Sequence, residues 1–169
     1  MGYNNLMDIK ANQIGKAGEL RVRSELILRG FNPAVFDQDS GVDIILENGE
    51  RLQVKTSLNP SYSKKGYSWK YTFRIRAAQF RPKENGLYER KFTKDSYKGK
   101  VDYFVFWLVK DNIFYIIPEK EVGGKISLVI PTPKDKRKYE KHTWKKSTSK
   151  YEKYKSNWEQ LNGTNLAHH

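Results

Sequence analysis

The residues of this chain best suited to chemistry are four polar side chains in its first third: Glu19, Asp43, Gln53 and Lys55. Three of them carry oxygen atoms, which are the ligands that hard divalent cations prefer. The fourth, Lys55, places an ammonium two residues after Gln53 and suits an anionic substrate. The chain has no Cys, which excludes disulfides, thiolate nucleophiles and Cys-ligated zinc. Any bound metal is therefore held mainly by oxygen.

Helical spacing predicts the element that carries Glu19. Apolar and small residues recur at intervals of three and four in a helix predicted over residues 12–30, and Glu19 shares their face. These residues are Gly15, Val22 and Leu26. A buried Glu is rare unless it is paired or bound to a cation, so Glu19 is a candidate ligand. The alternative is a structural ion pair with Arg23.

The other three polar residues lie on a predicted β-hairpin with strands at 42–46 and 51–57. Alternation assigns one face to the core, with Val42, Ile44, Leu46, Leu52 and Val54, and the opposite face to Asp43, Gln53 and Lys55. That arrangement requires an odd number of loop residues. We therefore predict a three-residue loop, Glu47-Asn48-Gly49, with Gly49 in the left-handed conformation and Asp43 facing Gln53.

The rest of the chain predicts more strands and a final helix within one domain spanning residues 1–169. Residues 67–75 alternate aromatic with polar and basic side chains, which indicates a strand with a basic outer face. Residues 103–109 and 113–117 are almost continuously apolar, so they form a second hairpin at the centre of the sheet. A strand is predicted at 126–130. Beyond it lie a basic extension at 132–155 and a terminal helix at 151–161.

Basic residues are concentrated in two segments of a chain whose net charge is +13. Residues 56–100 hold 12 Lys and Arg against 3 Asp and Glu, and residues 132–155 hold 10 against 3. This asymmetry favours a polyanionic partner such as nucleic acid, and the alternative is a solvated basic surface. No apolar run approaches the roughly 20 residues that span a bilayer, so no membrane partner is expected and the protein is placed in the cytoplasm.

Four segments taken in order resemble the PD-(D/E)XK nuclease superfamily. They are GELRVRSELILRGF, GVDIIL, LQVKTS and VDYFVFWLVKDNIFYIIP. They are most similar to the branch containing group I intron homing endonucleases, where Gln replaces the usual acid of the final half-motif. The resemblance covers roughly residues 14–117. It implies an α/β restriction-endonuclease-like fold, with a central mixed β-sheet flanked by helices.

The resemblance also implies a function, a magnesium-dependent DNA endonuclease with Mn²⁺ as a substitute metal. The catalytic residues would be Glu19, Asp43, Gln53 and Lys55. Asp43, the side chain of Gln53, the backbone carbonyl of Val54 and Glu19 would hold the metal, since oxygen ligands stabilise a phosphoryl-transfer transition state through a bound cation. Lys55 would orient the attacking water or neutralise the phosphate.

Double-stranded DNA is the expected partner, gripped by basic side chains at Lys70, Arg74, Arg76, Lys136, Arg137 and Lys138. A homodimer or homotetramer is expected, because cutting both strands needs two sites. The stripe Tyr154, Trp158 and Leu161 would either supply that contact or pack on the chain's own sheet. A Holliday-junction resolvase and a catalytically weak nucleic-acid-binding module on a nuclease scaffold remain alternative functions.

Overall fold

The computed structural model describes residues 10–35, 41–63, 68–75, 78–82, 88–92, 97–122, 124–132 and 150–161. The chain opens with helix α1 (Ala11–Leu28) and continues through ten strands and a short helix. The strands are β1 (Ala34–Val35), β2 (Ile44–Ile45), β3 (Arg51–Ser57), β4 (Ser61–Ser63), β5 (Ser68–Arg74), β6 (Ala78–Pro82), β7 (Tyr88–Phe92), β8 (Tyr103–Leu108), β9 (Ile113–Pro118) and β10 (Ser127–Pro131). Helix α2 (Glu119–Val122) lies between β9 and β10. Within these ranges no helix is long and apolar enough to cross a membrane.

The main sheet has the order β1-β2-β3-β8-β9 and is mixed. All its pairs are antiparallel except β3 with β8, which run parallel from Leu52 opposite Tyr103 to Ser57 opposite Leu108. The predicted α/β fold with a central mixed sheet is confirmed. Strand β8 lies inside the sheet as predicted, whereas its hairpin partner β9 is the last strand in the order.

Both faces of the main sheet are covered. Helix α1 packs on one face, where its Val22 and Leu26 join Leu52, Val54 and Val105 in a buried cluster. A second sheet of order β10-β5-β4 covers the other face, and its aromatic residues pack on Phe104 and Phe106. The first helix therefore has the flanking position predicted for it, and the opposite layer is a sheet.

The hairpin that carries Asp43 has the predicted register. Ile44 pairs with Leu52, and the amide of Leu46 donates to the carbonyl of Glu50 at 2.9 Å, which leaves a loop of three residues. Gly49 has a φ of +85°, the left-handed conformation that glycine adopts without steric cost. The alternation argument correctly predicted this turn.

One residue of the hairpin faces a different way from the prediction. Val42 packs in the cluster under the second sheet, whereas Ile44 and Leu46 pack under α1. Strand β2 begins only at Ile44, and Gly41 has a φ of +81°. The two-residue alternation therefore does not extend back through the turn to Val42.

The predicted terminal helix over 151–161 is wrong. The segment forms two 3-10 turns, Glu152–Tyr154 and Trp158–Gln160, separated by Ser156 with a φ of +50°. Its large apolar side chains are nevertheless buried in the two clusters on the main sheet: Tyr154, Trp158 and Leu161. Packing on the chain's own sheet is confirmed, and this stripe does not provide a surface for assembly.

The sequence patterns missed the short strands β1 and β4 and the whole hairpin of β6 and β7. Strands β6 and β7 pair antiparallel, from Ala78 opposite Phe92 to Pro82 opposite Tyr88. They lie within the first basic segment, where apolar and charged residues follow no clear period of two. Such a segment gives little signal for a strand.

Candidate active site

Helix α1 approaches β3 closely because it has a glycine at the contact. A Cβ atom built at Gly18 would lie 1.7 Å from Oγ1 of Thr56 and 3.0 Å from its Cβ. Backbone can approach this closely only where the side chain is a hydrogen atom. The next residue is Glu19, so this contact fixes the position from which the Glu19 side chain projects, on the side of the helix beside β3.

Asp43 is held at the start of the hairpin by two donors from the facing strand. Its Oδ2 accepts a hydrogen bond from the Val54 amide at 2.6 Å and another from the Gln53 side-chain amide. Its own amide donates to the Leu52 carbonyl at 2.9 Å. Asp43 and Gln53 therefore face each other across the hairpin, as their predicted register requires.

Gln53 is buried, with 6% of its surface exposed. The face that carries it was predicted to lie away from the core, but the second sheet covers that face as well. Its Nε2 lies between the Asp43 carboxylate and the Val54 carbonyl, 3.3 Å from the latter. Its Oε1 is buried and has no hydrogen-bond partner among the described residues.

This arrangement fits a metal held by oxygen. An amide's oxygen and nitrogen are nearly equal in shape, so they exchange places by a half-turn of the group. Exchange would place Oε1 of Gln53 beside Asp43 Oδ2 and the Val54 carbonyl, so that ligands from three of the four predicted residues lie together. Only one of these oxygens belongs to an acidic side chain, and no group of three acidic or imidazole side chains forms in the described ranges.

The Asp43 carboxyl has a pKa raised to about 6. Burial is the main cause, since it disfavours the charged form, and the negative charge of Glu19 adds to it. The Val54 amide and the ammonium groups of Lys55 and Lys16 act in the opposite direction. A buried carboxyl with a raised pKa beside other polar groups is typical of a functional site.

Glu19 is half-buried and close enough to Asp43 for its charge to act there. Its carboxylate pairs with Lys16, whose Nζ lies 3.0 Å from Oε2. The predicted alternative partner, Arg23, does not pair with it. The Nε of Arg23 is buried one helical turn further on, without a hydrogen-bond partner in the described part of the chain.

Lys55 extends from the same face of β3 as Gln53. Its Nζ donates to the hydroxyl of Tyr97 at 3.0 Å and lies 5.0 Å from the centre of that ring. Sequence reasoning missed Tyr97, which is 42 residues away in a lysine-rich stretch. No local pattern identifies it, because only the parallel pairing of β3 with β8 brings the turn before β8 to the site.

Two of the predicted DNA-binding residues lie in the described part of the chain, and neither is part of this cluster. Lys70 and Arg74 lie on β5, whose Tyr71 and Phe73 point inward to the core, so the two basic side chains point away from Gln53. Arg76, Lys136, Arg137 and Lys138 lie outside the described residues. The basic face predicted for β5 is present, with Thr72 and Arg74 exposed.

The fold is that of a solved α/β protein, a bacterial homing endonuclease. That structure is I-Ssp6803I, which the chain matches with a TM-score of 0.62 over 90% of its own length and 93% of the other chain, at 14% sequence identity. No family model matches the chain, and no curated protein matches it by sequence. The likeness is therefore one of fold.

Proposed function

We propose that this chain is a metal-dependent DNA endonuclease of the PD-(D/E)XK type, homing-endonuclease-like or restriction-like, that hydrolyses phosphodiester bonds. The observation that carries the proposal is the position of the Gln53 amide between the Asp43 carboxylate and the Val54 carbonyl, with Lys55 two residues further along the strand. The homing-endonuclease fold supports it.

In this function Asp43, the side-chain oxygen of Gln53 and the Val54 carbonyl hold Mg²⁺ or Mn²⁺, and Glu19 binds it directly or through water. The bound cation supplies positive charge for a transition state that is more negative than the substrate. Lys55 places its ammonium at the same face, where it orients the attacking water or neutralises the phosphate. Asp43 must lose its proton to act as a ligand.

The amide at position 53 carries no charge, which weakens the site for a second cation. Among the described residues Glu19 and Asp43 are the carboxylates of the site, so the site holds one metal tightly and a second loosely. Its DNA is double-stranded, contacted through the backbone by Lys70 and Arg74 on β5, Arg76 after it, and Lys136, Arg137 and Lys138 in the basic extension. A homodimer or homotetramer would bring two sites to the two strands.

One observation favours a second candidate, a nucleic-acid-binding module without catalysis. The Gln53 side-chain amide donates a hydrogen bond to the Asp43 carboxylate, a contact that needs no cation. A module that binds no metal would keep this hydrogen bond. Binding of Mn²⁺, measured by calorimetry, distinguishes the endonuclease from the module, because only the endonuclease is expected to bind the cation.

The test is digestion of plasmid, four-way-junction and single-stranded DNA with Mg²⁺, comparing the wild type with Asp43→Ala. Wild-type cleavage should disappear in this variant, while DNA binding is retained or strengthened because a negative charge near the phosphate is removed. Asp111→Asn is the matched control, since Asp111 also accepts a side-chain hydrogen bond, from Tyr71 at 2.9 Å, away from the site. Cleavage by folded Asp43→Ala would reject the assignment. Cutting of junctions alone would favour a resolvase.

A further inference from the structure

We infer that Tyr97 is a positioning residue for Lys55, holding its ammonium at the face of the site that carries Gln53. The inference rests on the proposed function. Tyr97 lies in the turn before β8, far in sequence from the predicted site residues. Its hydroxyl is the hydrogen-bond partner that the structure gives Lys55, at 3.0 Å from Nζ.

The chemistry of this partner suits its task. In the described part of the chain Lys55 has no carboxylate within ion-pair distance, and a neutral phenol oxygen accepts its hydrogen bond. A carboxylate partner would fix the ammonium but cancel its charge. Tyr97 fixes one of the three N–H groups and leaves the positive charge and the other two available to a phosphate or a water.

Tyr97 is itself held in place by its neighbours on two sides. Its ring meets Phe104 edge-on, with the ring centres 5.3 Å apart, and Phe104 is the residue paired with Gln53 across the parallel strands. On another side it lies against Gly41, where an added Cβ would be 2.9 Å from its Cε1. The Tyr97 ring therefore fills the space between Gly41, two residues before Asp43, and strand β8.

The turn that presents Tyr97 is anchored from the site's own strand. Arg51, the first residue of β3, donates to the Gly99 carbonyl at 2.9 Å and pairs with Asp102 at 3.1 Å. Gly99 has a φ of +69°, and the Lys100 amide donates to the Tyr97 carbonyl at 3.0 Å. The hydroxyl thus meets Lys55 from a fixed backbone, as positioning requires.

The test compares the wild type and Tyr97→Phe at saturating Mg²⁺ in single-turnover cleavage of whichever DNA the wild type cuts: plasmid, four-way junction or single strand. Removing only the hydroxyl should lower the cleavage rate constant about 10- to 100-fold, the scale of a misplaced catalytic group, with the Kd for DNA and the Tm unchanged. Tyr103→Phe is the matched control, because its hydroxyl donates to the Gln160 carbonyl at 3.0 Å away from Lys55. It should cleave at the wild-type rate.

A double-mutant cycle identifies the route of the effect. In a Lys55→Met background the Tyr97→Phe change should have almost no further effect on rate, because its target is already absent. Additive losses would overturn the inference, as would a Tyr97→Phe rate equal to that of the wild type.

An NMR readout makes this test independent of activity. In ¹³C-lysine-labelled protein, relaxation of the Cε signal reports the mobility of the Lys55 side chain, and the signal is assigned with Lys55→Arg. The Lys55 side chain should become more mobile in Tyr97→Phe, and its mobility should stay unchanged in Tyr103→Phe. Unchanged mobility in Tyr97→Phe would overturn the inference. Absence of cleavage by the wild type would instead reject the proposed function, and the two failures are therefore distinguishable.

Discussion

At the scale of residues, the Asp43 carboxyl is placed where its charge is costly. Burial and the neighbouring Glu19 raise its pKa to about 6, so the folded protein binds the proton more tightly than the unfolded chain does. Ionised Asp43 consequently lowers the free energy of unfolding of the metal-free protein. A bound cation would offset that cost, which is a common relation between functional sites and stability.

Asp43→Asn should therefore stabilise the metal-free protein at neutral pH. The penalty is absent below the unfolded pKa near 4, develops as the pH rises to about 6, and is constant above it. From that shift we expect a gain of about 2 kcal/mol in the free energy of unfolding at pH 8, after allowance for partial exposure. Urea unfolding in EDTA at pH 8 and pH 4 measures it. A variant less stable than the wild type at pH 8 would contradict this account of Asp43.

Residue-level prediction from the sequence succeeded where geometry is local. The period of two on a hairpin, together with the loop length, was enough to put Asp43 opposite Gln53. It failed for Gln53 burial, because the covering sheet depends on the pairing of β5 with β10, which lie far apart in the sequence. Tyr97 was missed for the same reason, since its position depends on pairing between β3 and β8.

At the scale of elements, two glycines three residues apart on α1 have opposite roles. Gly18 faces Thr56 at a distance that no side chain fits, whereas a Cβ at Gly15 would meet nothing within 4 Å. Because both glycines lie on the same helix, replacing each in turn distinguishes the effect of glycine on helix propensity from its effect on close packing.

Gly15→Ala should stabilise the protein by about 0.5–1 kcal/mol, since alanine lowers the entropy of the unfolded chain. Gly18→Ala should destabilise it by about 1–2 kcal/mol, because the crowding at Thr56 outweighs that gain. It should also slow cleavage by moving Glu19. Thermal unfolding of both variants measures the signs, and a stabilising Gly18→Ala would show that the helix moves freely over β3.

The terminal segment shows a limit of periodicity at this scale. The spacing of Tyr154, Trp158 and Leu161 is helical, and all three are buried, but the chain turns at Ser156, whose amide donates to the Phe114 carbonyl at 2.8 Å. That tertiary bond and the bridge from Lys155 to Tyr115 replace helical hydrogen bonds. Spacing alone contains no information about such partners.

At the scale of the whole molecule, the +13 net charge predicts binding that depends strongly on salt. If roughly six phosphates are contacted, the logarithm of the binding constant should fall against log salt with a slope of about −5. Fluorescence anisotropy with a labelled duplex over a salt titration gives the slope. Lys70→Ala and Arg74→Ala should each make this slope shallower by about one. A binding constant that does not change with salt would exclude contacts with the DNA phosphates as the main source of affinity for DNA.

Calorimetry with Mn²⁺ tests whether Asp43, Gln53 and Val54 form the proposed metal site. At pH 7.5 the wild type should bind one ion tightly, Gln53→Glu should bind more tightly because a charge is added at the same length, and Asp43→Asn should show no such binding. Affinity should fall below about pH 6, where Asp43 takes up its proton. Equal Mn²⁺ binding by the wild type and a folded Asp43→Asn, or none by either, would contradict the proposed site.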